Sequence, residues 1–165
     1  MKIRLFTLSL LVMVLAACQS GKSDYFEGIK KSDEGHLRGI TIGSAIEEVK
    51  ASEDATFLKE EMPDYLHYDY PISMGNSFTV TYDFSSENKC YEIEQAVFLD
   101  KIEDAASLFS DYEAFFTRKY GKGRLADDGF MIWTHKTAQL NIEVAMINDS
   151  ESYGYLSIFI RDLDY

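Results

Sequence analysis

The chain has 165 residues, 16 Lys and Arg against 28 Asp and Glu, and a net charge of −12, with 14% of its side chains aromatic. A charge this negative repels phosphate backbones and anionic headgroups, which excludes nucleic acid as a partner held by charge and favours cationic ones. Length and aromatic content suffice for one domain with its own core, and exclude disorder throughout.

The chain opens Met1-Lys2-Ile3-Arg4 and then runs from Leu5 to Leu15 without a charge. This is the n-region and h-region pattern of a secretion signal, and it falls short of the ~20 apolar residues that cross a bilayer core. Leu15-Ala16-Ala17-Cys18 follows. It matches the pattern Leu-(Ala/Ser)-(Gly/Ala)-Cys at every position, so the chain resembles bacterial lipoprotein precursors at their lipobox. That resemblance implies removal of residues 1–17 as a signal peptide, a thioether from Cys18 to diacylglycerol, and palmitate-type acyl chains on the new N-terminus. Each buried CH₂ contributes roughly 0.8 kcal/mol, so several chains would hold the protein on a membrane. With Gln19 rather than Asp after the cysteine, the resemblance implies outer-membrane anchoring in a two-membrane envelope. Processing removes Lys2 and Arg4 but no acid, taking the net charge from −12 to −14.

Residues 18–38 read as the lipidated N-terminus and a tether, being polar and glycine-bearing from Gly21 to Gly35. Tyr25, Phe26 and Ile29 interrupt that polarity, and their docking would start the ordered part earlier. A single globular domain is expected over 39–165.

Within it, Ser44-Ala45-Ile46-Glu47 has the form of a capping box. It predicts a first helix with Ala45, Ile46 and Val49 on one side, continuing toward Phe57 and Leu58 and stopping by Met62-Pro63 at the latest. Its other side would carry Glu47, Glu48, Glu53 and Asp54. Residues 65–74 are aromatic but hold Pro71, which predicts an edge strand. Phe78, Val80, Tyr82 and Phe84 alternate with polar residues, and after a turn at 85–89 a further strand takes Tyr91, Ile93, Val97 and Leu99.

Asp100-Lys101-Ile102-Glu103 repeats the capping pattern ahead of the broadest apolar stripe in the chain, which takes in Ala105, Leu108, Phe109, Tyr112, Phe115, Phe116 and Tyr120. Arg118 and Lys119 suit the negative helix end, and Gly121 supplies the stop. Strands are expected at 130–136, around 140–146 and at 155–161. The predicted class is α+β: an antiparallel sheet with two helices on one face, arranged as a tandem αβββ repeat whose two caps lie 56 residues apart.

The chemistry-bearing residues are sparse. Cys90 would be the one thiol left after acylation of Cys18, and it reads as a buried core residue. Of His36, His67 and His135, the first falls in the tether and the last reads as a sheet-surface residue, so no nucleophile-and-base constellation assembles. Acidic pairs such as Glu60-Glu61 and Asp127-Asp128 lack the spacing of a calcium loop. No metal, cofactor or catalytic residue is assigned, and the domain is read as not an enzyme. Tyr65, Tyr68, Tyr70 and Trp133 are the candidate binding platform, since exposed aromatic side chains anchor partners.

Ile40-Thr41-Ile42-Gly43-Ser44 through Glu48-Val49-Lys50, ahead of a helix and a sheet, resembles the opening of small outer-membrane assembly lipoproteins and of two-repeat inhibitor-type αβ domains. The resemblance implies a non-enzymatic envelope module that binds another protein. An inhibitor or immunity protein capturing a cationic toxin or hydrolase is the alternative, and a hydrolase comes third.

Overall fold

Phe78, Val80, Tyr82 and Phe84 occupy every second position of a nine-residue strand and are all buried. Successive side chains of a strand point to opposite sides, so this pattern fixes one dry face. The computed structural model describes residues 22–73 and 75–165; the signal segment and the lipobox with Cys18 lie outside them. The described residues form one antiparallel sheet of eight strands: β1 (Leu58–Met62), β2 (Tyr65–Ser73), β3 (Asn76–Phe84), β4 (Cys90–Leu99), β5 (Arg124–Leu125), β6 (Met131–Lys136), β7 (Asn141–Asn148) and β8 (Gly154–Asp162). Their order is β1-β2-β3-β4-β8-β7-β6-β5. Two up-and-down halves thus meet at an antiparallel β4–β8 seam, where Gln95 faces Ile158 and Val97 faces Leu156.

Three helices are described: α1 (Phe26–Lys30), α2 (Ile46–Ser52) and α3 (Ile102–Tyr120). The fold is α+β as expected, with a fourth strand in each half in place of three. β5 is a two-residue addition. β1 stands where the first helix was expected to continue, and the cause lies at Glu53, where the backbone turns extended. Asp54 Oδ1 then accepts from the Thr56 amide at 2.9 Å and opens a single 3-10 turn, Ala55–Phe57. Pro63 and Asp64 join Met62 to Tyr65, the first pair of the β1–β2 ladder. Four of the five β1 side chains are exposed, so no alternation marked the strand.

Both expected caps are corrected. The N-cap of α2 is Ala45, not Ser44; Glu48 Oε2 accepts from the Ala45 amide at 2.9 Å, while the Ser44 carbonyl accepts from Cys90 N–H in the sheet. Lys101 precedes α3 without a side-chain cap, and the neighbouring Asp100 amide donates to Asn76 Oδ1 at 2.8 Å. The C-terminal reading of α3 holds: Gly121 takes φ +86° and its N–H reaches Thr117 O at 3.0 Å.

Residues 22–38 are part of the domain rather than a tether. Phe26 packs edge-on against Tyr112 of α3 at 5.1 Å and near Phe115 at 6.3 Å, and Ile29 and Leu37 are equally buried. Burying each such side chain contributes about 1.5 to 3 kcal/mol, enough to dock a segment whose composition is polar. Pro71 sits on β2, which is not an outer strand. However, β1 begins at Leu58 opposite Tyr68, so its ladder does not reach Pro71, and the missing N–H costs no bond on that side.

The helices and the 22–49 segment share one buried cluster with the inward side chains of the sheet. Phe116 meets Trp133 at 5.4 Å, and Gln95 Nε2 donates to Tyr112 Oη at 3.0 Å, which fix α3 over β4, β6, β7 and β8. Among the described residues no helix packs on the other face of the sheet.

Candidate functional site

The uncovered sheet face is assembled from the polar positions of the alternating strands. The β3–β4 ladder places Asp83 opposite Glu92 and Thr81 opposite Glu94; the β4–β8 ladder places Glu92 opposite Arg161, Glu94 opposite Phe159 and Phe98 opposite Tyr155. Carboxylates and aromatic rings thereby share one surface. Phe98 and Tyr155 lie 5.1 Å apart, Phe130 and Phe159 6.2 Å apart, and these rings shelter the small residues Ala96, Ala145 and Ser157, which are nearly inaccessible.

Crowding of like charge marks the acidic half. Partial burial pushes the Asp83 carboxyl above the usual carboxylate range, with Glu92 and Asp64 adding to the effect. Glu94 is raised in the same way, by burial and then by Glu92 and Asp83. The one arginine beside them, Arg161, sits between Glu92 and Glu143 in the ladders, and its Nε is 3.8 Å from Glu143 Oε1. That distance is too long for a strong hydrogen bond, so the acids keep unspent negative potential. Among the described residues no group of three or more His, Cys, Asp or Glu is placed to hold a metal ion.

A second concavity lies on the opposite, helix-covered side. Ile29, Phe57, Tyr70, Ile72 and Phe78 wall a pocket of about 300 Å³, with the Arg38 guanidinium in it and Asp24 and Gly28 also on its lining. Arg38 is 3% exposed. Its Nε donates to Glu53 Oε1 and its Nη2 to Glu53 Oε2, both at 2.9 Å, and Nη1 donates to Ile29 O at 2.6 Å. Glu53 also accepts from the hydroxyls of Tyr70 and Tyr82 and from Lys31 Nζ. Despite burial, these donors hold the Glu53 carboxyl down to about 2. Glu53 was expected on the wet side of the first helix; it is 5% exposed, because the helix ends just before it and turns it inward.

The expected aromatic platform does not assemble. Tyr68, Tyr70 and Trp133 are buried, and only Tyr65 stays on the uncovered face, stacked with His67 at 6.2 Å. Trp133 is drawn in by α3, where its Nε1 donates to Thr117 Oγ1 at 3.3 Å. Tyr68 and Tyr70 occupy the inward positions of β2. Cys18 lies outside the described residues. Cys90 is buried as expected, and burial pushes its thiol up to about 12.

The three histidines sit in different surroundings: His36 is buried, His67 half-buried and His135 exposed. His135 is exposed near the end of β6, with its ring 5.7 Å from Tyr120. His67 Nδ1 lies 3.0 Å from Thr81 Oγ1 on the uncovered face. His36 belongs to the core, not to a tether: its Nδ1 accepts from the Ile42 amide at 2.9 Å, and burial, then Lys119 and His135, push it down to about 4. The acids of the uncovered face were visible in the sequence only as wet positions of strands, and Arg38 had no signal beyond its charge.

No protein-family model and no curated protein matches the chain. Among solved structures, a DUF4309 family protein from Bacillus subtilis is similar at a TM-score of 0.40 and 12% identity, over 86% of this chain and 97% of that chain.

Proposed function

We propose that this protein is a non-enzymatic, lipid-anchored envelope module that binds another envelope protein through the uncovered face of its sheet. The carrying observation is the composition of that face. Aromatic side chains at Phe98, Tyr155 and Phe159 stand on the same face as Asp83, Glu92 and Glu94, and partial burial, then neighbouring carboxylates, raise Asp83 and Glu94 above the ordinary range. A cation brought against these acids relieves their repulsion, while the rings supply apolar contact area. The partner is therefore a cationic protein. The anchor is Cys18, by resemblance of Leu15-Ala16-Ala17-Cys18 to a lipobox, and its membrane is the outer one.

The test begins with crosslinking in intact cells to identify the partner, followed by surface-plasmon kinetics. The association rate should fall steeply as added salt shortens the Debye length from ~30 Å to ~8 Å, with dissociation changing much less. Salt-independent association, or no partner recovered, would count against this reading. A partner that is a toxin or hydrolase silenced on binding would make the module an inhibitor or immunity protein. For the anchor, Cys18→Ser should abolish labelling by a palmitate analogue, and labelling equal to wild type would refute it.

A further inference from the structure

The pocket around Arg38 lies on the helix-covered side of the sheet, away from the face proposed to bind a partner. Three of the five guanidinium N–H groups are spent on Glu53 and Ile29, leaving two without a partner among the described residues. Glu53 cannot take them. It already accepts from Arg38 twice, from Lys31, from Tyr70 and from Tyr82. Buried donors without acceptors are costly, so something entering the pocket is favoured if it brings one.

The guanidinium itself sets what kind of acceptor. Lys31, which reaches Glu53 at 3.1 Å, and Asp24 at the lining are both exposed, so solvent screens these two opposite charges, and the spare N–H groups of the permanently charged Arg38 favour an anionic acceptor. The walls set the remainder of the ligand. Tyr70 and Phe78 stack on each other at 4.8 Å with an interplanar angle of 9°, Phe57 packs on Tyr70 at 4.8 Å, and with Ile29 and Ile72 they make an apolar wall. About 300 Å³ is the lower end of small-molecule sites.

The geometry points to a binding site for a small monocarboxylate with an apolar body, its carboxylate on the spare N–H groups of Arg38 and its body against the apolar lining of Ile29, Phe57 and Ile72. Gly28 offers the means of testing it without touching Arg38, which the fold needs. A Cβ at Gly28 meets nothing within 4 Å and its backbone is not in the left-handed region, so Gly28→Leu adds apolar bulk at the pocket lining without strain and favours α1.

The experiment is isothermal titration calorimetry of the full chain in phospholipid nanodiscs, blanked against empty nanodiscs, with 3-phenylpropanoate as probe. Saturable binding with a Kd on the order of 0.1 to 1 mM is expected for a ligand this small. The neutral analogue 3-phenylpropan-1-ol should bind at least about tenfold more weakly, and Gly28→Leu should weaken the acid about tenfold or more while melting no lower than wild type. The proposal is overturned if the acid gives no saturable heat, if the alcohol binds as well as the acid, or if Gly28→Leu binds the acid unchanged.

Discussion

Arg38 meets Glu53 side-on, Nε to Oε1 and Nη2 to Oε2, each at 2.9 Å, with both side chains almost wholly out of solvent. The guanidinium also lies 4.8 Å over the Tyr70 ring and 4.9 Å over Phe78. Through the Tyr70 and Tyr82 hydroxyls on Glu53 this pair ties the segment before α2 to the inward face of β2 and β3, adding a polar link to the apolar docking of Phe26, Ile29 and Leu37. Removing one partner strands a buried charge. Glu53→Gln should therefore cost about 3 to 5 kcal/mol in urea unfolding, and Arg38→Met with Glu53→Leu should cost less than either single change. The folded Glu53 carboxyl sits at about 2 against an ordinary 4.5, so its contribution is complete above about pH 4.5 and disappears as pH falls to about 2. Wild type should lose stability through that window, and the Glu53→Gln variant should lose visibly less.

A second pH window lies higher and belongs to His36. Because Nδ1 accepts from the Ile42 amide, the folded ring carries its proton on Nε2 and is neutral. Its value is pushed down to about 4 from an ordinary 6.5, so below pH 6.5 the unfolded chain takes up a proton that the folded one refuses. Stability attributable to this ring is thus present above pH 6.5 and lost as pH falls to about 4, by up to about 3 kcal/mol. Proton NMR should show His36 still neutral at pH 5.5, and His36→Gln should flatten the stability profile between pH 6.5 and 4. A His36 titrating near 6.5 would contradict the burial.

Cys90 should be chemically silent. The thiol is 1% exposed, its Sγ faces the Glu92 carbonyl at 3.4 Å, and it is pushed up to about 12, so almost no thiolate exists at neutral pH. In a Cys18→Ser background, an aromatic disulfide reagent should label the folded protein only at the rate of unfolding. Cys90→Ala should cost about 1 to 2 kcal/mol by thermal melt, the loss of a small buried group. Fast labelling would place the thiol at an accessible surface.

What the sequence made legible follows from periodicity. The alternation of β3 and the stripe of α3 announce themselves because one face of each is apolar and long enough to show a period. β1 has four exposed side chains and only Leu58 packs against the core, so its residues carry no pattern. Arg38 and Glu53 were illegible for a different reason. Charged residues are expected in water unless paired, and nothing local tells that two charges 15 positions apart will neutralise each other inside. The same blindness split the aromatic set, since a Tyr on the inward and the outward side of β2 differs only by the parity of its position: Tyr68 and Tyr70 went in and Tyr65 stayed out.

The acids of the uncovered face should show the opposite pH behaviour to Glu53. Asp83 and Glu94 are raised by burial and by neighbouring carboxylates, so the folded protein holds their protons more tightly than the unfolded chain does. Their ionised forms therefore oppose folding at neutral pH, and that opposition vanishes as pH falls below their folded values. Asp83→Asn and Glu94→Gln should each stabilise the domain at pH 7, by about 0.3 to 1 kcal/mol given their partial exposure, and should be neutral near pH 3. The same two substitutions remove the potential proposed to draw in a cationic partner. The double variant should melt higher than wild type yet associate more slowly with that partner, with a shallower dependence on salt. If it melts higher and associates unchanged, the acids keep the domain soluble and binding rests on Phe98, Tyr155 and Phe159. If it melts lower, the carboxylates make contacts that the ladders do not show and the crowding argument fails.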